Sequence, residues 1–279
     1  MNVTPIFQRL LLATERTEFD RGAERLALAL AQHCAAPLGV VMPLASNAEF
    51  EAAAPAVAER AERDAAARLA ALRQQAQAAG IGIDLRVRRG PELWRELIDE
   101  ARERGADLLV LRRRGQRGFL ARLLVGEMVG QVLAHAPCCA LVVPRDAGMW
   151  TRRVLVGAAP GDAGRQLVTL AAAVAAACSL PLSVVCVAER GTGHNAAARA
   201  FLADAERLAA AAGVTAGTEL LSGAVPAQLL AATRRLDADL VVIGAGHARP
   251  DGVAHAVTGA ASCAVLIVPP ALIHKEPPR

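Results

Sequence analysis

Tyrosine is absent from this 279-residue chain, lysine occurs once, at Lys275, and aromatic residues reach only 3%. Each scarcity removes a class of chemistry. Without a lysine in either core there is no Walker-type phosphate loop, whose lysine reaches the phosphates, and no Schiff-base nucleophile. So few aromatic rings leave no stacking platform for single-stranded nucleic acid. The net charge of +4 rests almost wholly on arginine, 31 − 1 = 30 of the basic residues, and so mild an excess is weak support for a nucleic-acid partner. No apolar run approaches the roughly 20 residues of a membrane span, and no long apolar stretch follows a basic start at the N-terminus. The expectation is a cytoplasmic protein with no membrane partner.

The six cysteines lie mostly in apolar runs without C-x-x-C spacing, which reads as small reduced core residues. The six histidines are dispersed, with no H-x-x-x-H or H-E-x-x-H pair, so no metal site is expected. None of the sparse serines lies in a G-x-S-x-G elbow.

What the chain does contain, it contains twice. Leu10 to Leu44 realigns on Val154 to Ala188 at a constant offset of 144, pairing Cys34 with Cys178 and Pro37 with Pro181. Gly80 and Gly90 match Gly213 and Gly223 at an offset of 133, and Asp107 to Leu111 matches Asp239 to Ile243. The closing runs at Cys138 and Cys263 also correspond, but the stretch leading to them is seven residues shorter in the second copy. A duplication gives two domains, 1–148 and 149–279. The linker of about Arg145 to Arg152 is short, and its Met149 and Trp150 read as an apolar clamp between the domains.

Within the first copy, strands are expected at Leu10–Thr14, Leu38–Leu44, Ile83–Val87, Asp107–Leu111 and Ala140–Val143. Helices are expected at about Asp20–His33, Ala48–Ala79, after Gly90-Pro91, and at about Gly126–His135. The second copy repeats the order. Strands alternating with helices predict an α/β fold with two tandem doubly wound domains, since parallel strands need crossover connections. Ligands of such sheets bind beyond the carboxyl ends of the strands, which singles out the loops after the first, second and fourth strands.

After the fourth strand the first copy runs from Arg112 through Gly115, Gly118 and Gly126 to Glu127, and its fifth strand is introduced by His135-Ala-Pro-Cys. With the repeat, this resembles the universal stress protein family, whose loop is G-x2-G-x9-G-[ST]. The resemblance covers Phe7 to Pro269. It implies a five-stranded parallel sheet of order 3-2-1-4-5 in each domain, and pairing of the two domains as an intramolecular pseudo-dimer along their fifth strands.

The departures from that pattern bear on ligand binding. Arg112 takes the place of the first loop glycine, ten residues rather than nine separate Gly115 from Gly126, and Glu127 replaces the Ser/Thr at the helix start. A carboxylate there is stabilised by the helix dipole but repels a phosphate. Glu15, Arg16 and Thr17, following Thr14, occupy the place of the family's Asp-Gly-Ser-like step, where Glu15 remains able to accept a hydrogen bond from adenine or ribose. In the second copy those positions are Ala159, Pro160 and Gly161, and its later loop, Gly244 to Gly252, has lost most of the phosphate segment. Thr14, Glu15, Arg112, Gly115, Gly118, Gly126 and Glu127 are therefore the candidate nucleotide-binding residues, on a degenerate site confined to the first domain.

Arg112, Arg113, Arg114, Arg117 and Arg122 have two readings. They hold a triphosphate, or they form a solvated loop that neutralises Glu127 and acids of the other domain. The preferred function is a non-enzymatic stress-response protein with weak or no ATP binding and no required cofactor, acting through an unidentified protein partner or as a homo-oligomer. The alternative is an ATP-binding sensor or slow ATPase using the first domain. An adenylyl-transfer enzyme is disfavoured, because no nucleophile or base stands out.

Overall fold

The computed structural model describes residues 6–46, 48–113, 128–188, 195–246 and 252–273. The first repeat runs β1 (Leu10–Ala13), α1 (Arg21–Cys34), β2 (Leu38–Ala45), α2 (Ala48–Ala53), α3 (Pro55–Ala78), β3 (Ile83–Gly90), α4 (Leu93–Glu103), β4 (Leu108–Arg112), α5 (128–135) and β5 (Cys139–Val143). The second runs β6 (Val154–Gly157), α6 (Asp162–Ala177), β7 (Leu182–Ala188), α7 (Asn195–Ala211), β8 (Ala216–Ser222), α8 (Val225–Arg235), β9 (Leu240–Gly244), α9 (Val253–Ala260), β10 (Ala264–Val268) and α10 (Pro270–Ile273).

Contacts divide the chain into two compact units, Phe7–Cys138 with Val143–Gly148, and Cys139–Val142 with Met149 onward. Strand order is 3-2-1-4-5 in each repeat. The pairs β1·β2, β1·β4 and β2·β3 are parallel in the first, as are β6·β7, β6·β9, β7·β8 and β9·β10 in the second. In the second unit β5 adds to β10 antiparallel, with Leu141 opposite Leu266.

The central strands are buried along their whole length (β1, β5 and β10 without an exposed residue), as expected of strands covered on both faces by helices. Leu26 and Leu30 of α1, and Leu97 and Ile98 of α4, are almost wholly buried. Each such side chain contributes about 1.5–3 kcal/mol on leaving water.

One expected element differs. The single helix foreseen over Ala48–Ala79 is two, broken at Ala54, whose φ of −142° and ψ of 60° are not helical. Pro55 causes the break, because a proline ring disfavours helical backbone in the residue before it, while its own missing N–H suits the first helical position. Trp150 is 4% exposed, and its indole Nε1 donates to Cys178 Sγ at 3.1 Å at the end of α6, so it packs on a helix of its own unit. All six cysteines are outside disulfides, with Cys34 and Cys178 half-buried and the other four buried.

The two repeats use the same devices to enter their sheets. Asp107 accepts the backbone N–H groups of Gln8 and Arg9, and Asp239 accepts those of Thr151, Arg152 and Arg153. A carboxylate at the start of the fourth strand thereby fixes the start of the first. Ala35 and Ser179, equivalent by the repeat, both take left-handed φ, of 48° and 54°.

Candidate functional site

The chemistry collects at the carboxyl ends of β1 and β4 in the first repeat. Thr14 and Glu15 leave β1, Arg112 ends β4, and parallel pairing of the two strands puts these ends side by side. Arg112 is only 10% exposed, and its guanidinium faces back toward the β1–α1 loop. Nη1 donates to Thr17 Oγ1 at 2.6 Å and lies 3.0 Å from Asp20 Oδ2, while Nη2 donates to Glu15 Oε2 at 2.8 Å.

Asp20 is 1% exposed and stands just ahead of α1. Its side chain makes no hydrogen bond to the helix N-terminus. Instead Oδ2 accepts the Thr17 backbone N–H at 2.8 Å and the Thr17 hydroxyl at 2.6 Å. A second ion pair lies behind the first. Thr14 Oγ1 donates to Glu24 Oε1 at 2.7 Å, and Arg16 Nη1 donates to Glu24 Oε2 at 2.5 Å. Arg68 of α3 adds a hydrogen bond to the Glu15 carbonyl at 3.2 Å. Three carboxylates (Glu15, Asp20, Glu24) thus gather with three guanidiniums, of which Arg16 and Arg112 pair with the carboxylates and Arg68 with a backbone carbonyl, and the cluster carries no net charge.

Beside the Arg112 pair is a pocket whose polar end is Thr14, Glu15, Asp20 and Arg112 and whose walls include Leu97, Leu111 and Val132. Its cavity volume is about 20 Å³. That is space for about one water molecule and far below what a nucleotide needs.

Of the sequence-derived candidates, Thr14, Glu15 and Arg112 come together here. Gly115, Gly118, Gly126 and Glu127 lie outside the described residues. Arg112 neutralises acids of its own unit rather than acids of the other domain. Asp20 and Arg68 were missed by sequence reasoning, and Thr17 stood out only as part of the Asp-Gly-Ser-like step. The only local signal was the Thr17-x-x-Asp20 spacing at a helix start, which reads first as a capping feature.

The second repeat has the same strand ends and none of the chemistry, and its loop takes a different path, with positive φ at Gly161 where the first repeat has it at Arg16. Thr14 N bonds Val41 O at 3.0 Å, and its equivalent Ala158 N bonds Val185 O at 3.0 Å. At the repeat offsets Thr14, Glu15 and Thr17 become Ala158, Ala159 and Gly161, while Asp20, Glu24 and Arg112 become Gly164, Val168 and Gly244. Arg68 becomes Phe201, 5% exposed, whose ring lies against Gly164. Apolar packing closes the place that a charged cluster fills in the first repeat.

Among the described residues no group of three or more His, Cys, Asp or Glu is arranged to hold a metal ion. Among the same residues, no helix is long and apolar enough to cross a membrane.

Residues 6–144 match the model of the universal stress protein family. No curated protein matches the chain. Among solved structures, a universal stress protein from Archaeoglobus fulgidus DSM 4304 is similar over 95% of this chain and 96% of its own, with a TM-score of 0.76 and 17% identity. A functionally unknown protein from Pseudomonas aeruginosa PAO1 is similar over 98% and 96%, with a TM-score of 0.69 and 16% identity. At these identities the likeness is one of fold, and it spans both repeats. With the family's pattern matched in the first repeat and its strand order present in both, the chain belongs to the universal stress protein family as a tandem member.

Proposed function

We infer that this is a non-enzymatic, cytoplasmic stress-response protein that binds ATP weakly or not at all. The observation that carries the reading is the guanidinium of Arg112 bound between Glu15, Thr17 and Asp20, where the family resemblance places a nucleotide. Three carboxylates gathered at that point oppose a phosphate, and the Arg112 and Arg16 guanidiniums beside them are already paired with them. The second repeat offers neither charge nor polar side chains at the equivalent position. Loss of the loop glycine at Arg112 and the carboxylate of Glu127 act in the same direction.

Calorimetric titration of the whole chain with MgATP tests the reading. The expected result is binding no tighter than about 1 mM, with phosphate release at background. Micromolar binding, at one site or two, overturns it in favour of the nucleotide sensor.

A further inference from the structure

We propose that the pocket at the ends of β1 and β4 is a guanidinium receptor and that Arg112 is its tethered, autoinhibitory occupant. The site selects a planar cation carrying a short apolar group. The proposal rests on the reading that Arg112 fills the nucleotide position, and it goes on to name the chemistry that the site accepts.

Three observations support it. The first is the geometry of recognition. Both terminal nitrogens of Arg112 are engaged, Nη2 by Glu15 and Nη1 by Thr17 and Asp20, at 2.6–3.0 Å. A planar fork meets such an arrangement, and an ammonium, which is a point charge, does not.

The second is that the acceptor side stands without its occupant. The Asp20 carboxylate is held by the Thr17 N–H and hydroxyl independently of Arg112, so removing the arginine side chain leaves a buried, oriented carboxylate. Preorganisation of that kind lowers the cost of binding a replacement. Truncating Arg112 frees the volume of its own apolar stem beside the small cavity walled by Leu97, Leu111 and Val132, and that joined space receives the apolar group.

The third is the second repeat. There the same strand and helix scaffold forms with Ala159, Gly161, Gly164 and Gly244 at the positions of Glu15, Thr17, Asp20 and Arg112. The fold therefore does not require the cluster. Burying an acid and an arginine together costs desolvation that apolar residues avoid, so packing alone does not account for the first repeat's choice.

A tethered ligand competes at an effective concentration in the millimolar range. A free cation therefore reaches the site poorly in the intact protein and readily once the arginine is gone. The test is titration of full-length Arg112→Ala, its fold checked by circular dichroism, with phenylguanidinium followed by calorimetry. Binding at least about tenfold tighter than to the wild type is expected, and at least about tenfold weakening when Asp20→Asn is added. Arg112→Gln, which retains a hydrogen-bond donor for Asp20, serves if the alanine variant does not fold, with the same order of affinities.

Failure of the folded variant to bind phenylguanidinium overturns the proposal, as does binding indifferent to Asp20→Asn. Tighter binding of MgATP than of phenylguanidinium by the variant also overturns it and marks Arg112 as a latch on a nucleotide site. None of these outcomes alters the result of MgATP titration on the wild type, so this proposal and the functional reading fail separately.

Discussion

Arg112 and Asp20, 92 residues apart in sequence, are joined at 3.0 Å between Nη1 and Oδ2, with side chains 10% and 1% exposed. This pair ties the end of β4 to the loop that opens α1. Removing the cation leaves a buried carboxylate with only the Thr17 hydrogen bonds to offset its desolvation. Breaking a buried pair from one side costs about 3–5 kcal/mol, and water entering the small adjacent cavity brings the expected loss for Arg112→Ala to about 3 kcal/mol. Arg112→Ala paired with Asp20→Asn should cost less than the sum of the two changes, because the second relieves the charge stranded by the first. Urea unfolding of the four proteins in that cycle measures the difference. Additive costs would mean that the two groups do not stabilise each other.

The pair also shows where sequence reading stops. Asp107 and Asp239, the paired glycines and the apolar runs repeat at fixed offsets, so the order of strands and helices was legible twice over, and Gly80 correctly ended a helix. The break at Ala54 was missed because the alanine-rich pattern continues across Pro55. The site was legible only in part. Thr14, Glu15 and Arg112 stood out by their departure from a family pattern. That Arg112 turns inward to Asp20 depends on two strand ends lying side by side, a relationship that no local spacing encodes.

A further buried acid of the first repeat makes a pH prediction. Glu100 of α4 is fully buried, accepting Arg88 Nε at 2.7 Å and Arg104 Nε, with Arg86 Nη1 at 3.6 Å, while Glu103 and Asp84 pair with the same arginines. Burial pushes the Glu100 carboxyl up, but hydrogen bonds from Arg104 and Arg88 outweigh it and hold the group below its ordinary 4.5. A depressed folded-state value means that the contribution is present above about pH 4.5 and is lost as pH falls through the lower folded value. Stability measured by urea midpoint should drop steeply below pH 4.5 in the wild type and less so in Glu100→Gln. That variant should lose about 3 kcal/mol at pH 7. An unchanged acid slope in Glu100→Gln would assign the transition to other carboxylates.

Thiol reactivity should follow burial. The Cys138 thiol is pushed up to about 12 by burial, reinforced by the charge of Asp107, and burial also raises Cys178 and Cys186. Since the thiolate is the reacting form, native alkylation at pH 8 should reach half-buried Cys34 and Cys178 first. Cys138, Cys139, Cys186 and Cys263 should label only on unfolding. Mass spectrometry of the time course gives the order, and early labelling of Cys138 would contradict its burial.

The last prediction concerns whether the second repeat can be given the first one's site. A Cβ on Gly164 would lie 1.9 Å from the Ala159 carbonyl oxygen and 3.1 Å from the Phe201 ring. A backbone carbonyl cannot swing aside as a side chain does. Gly164→Ala should therefore destabilise the protein by about 3 kcal/mol, whereas Gly217→Ala on edge strand β8, with nothing within 4 Å, should stay within about 0.5 kcal/mol. Gly164 is the equivalent of Asp20, so the same contact forbids the receptor's acid at that position, and Gly164→Asp should cost at least as much as alanine. In this repeat the Ala159 carbonyl and the Phe201 ring occupy the space that Asp20 and Arg68 use in the other. Exchange of single residues cannot rebuild the charged cluster there unless the chain between β6 and α6 moves with it. Thermal unfolding of Gly164→Ala, Gly164→Asp and Gly217→Ala decides the matter, and near-native stability of Gly164→Asp would mean that the loop yields.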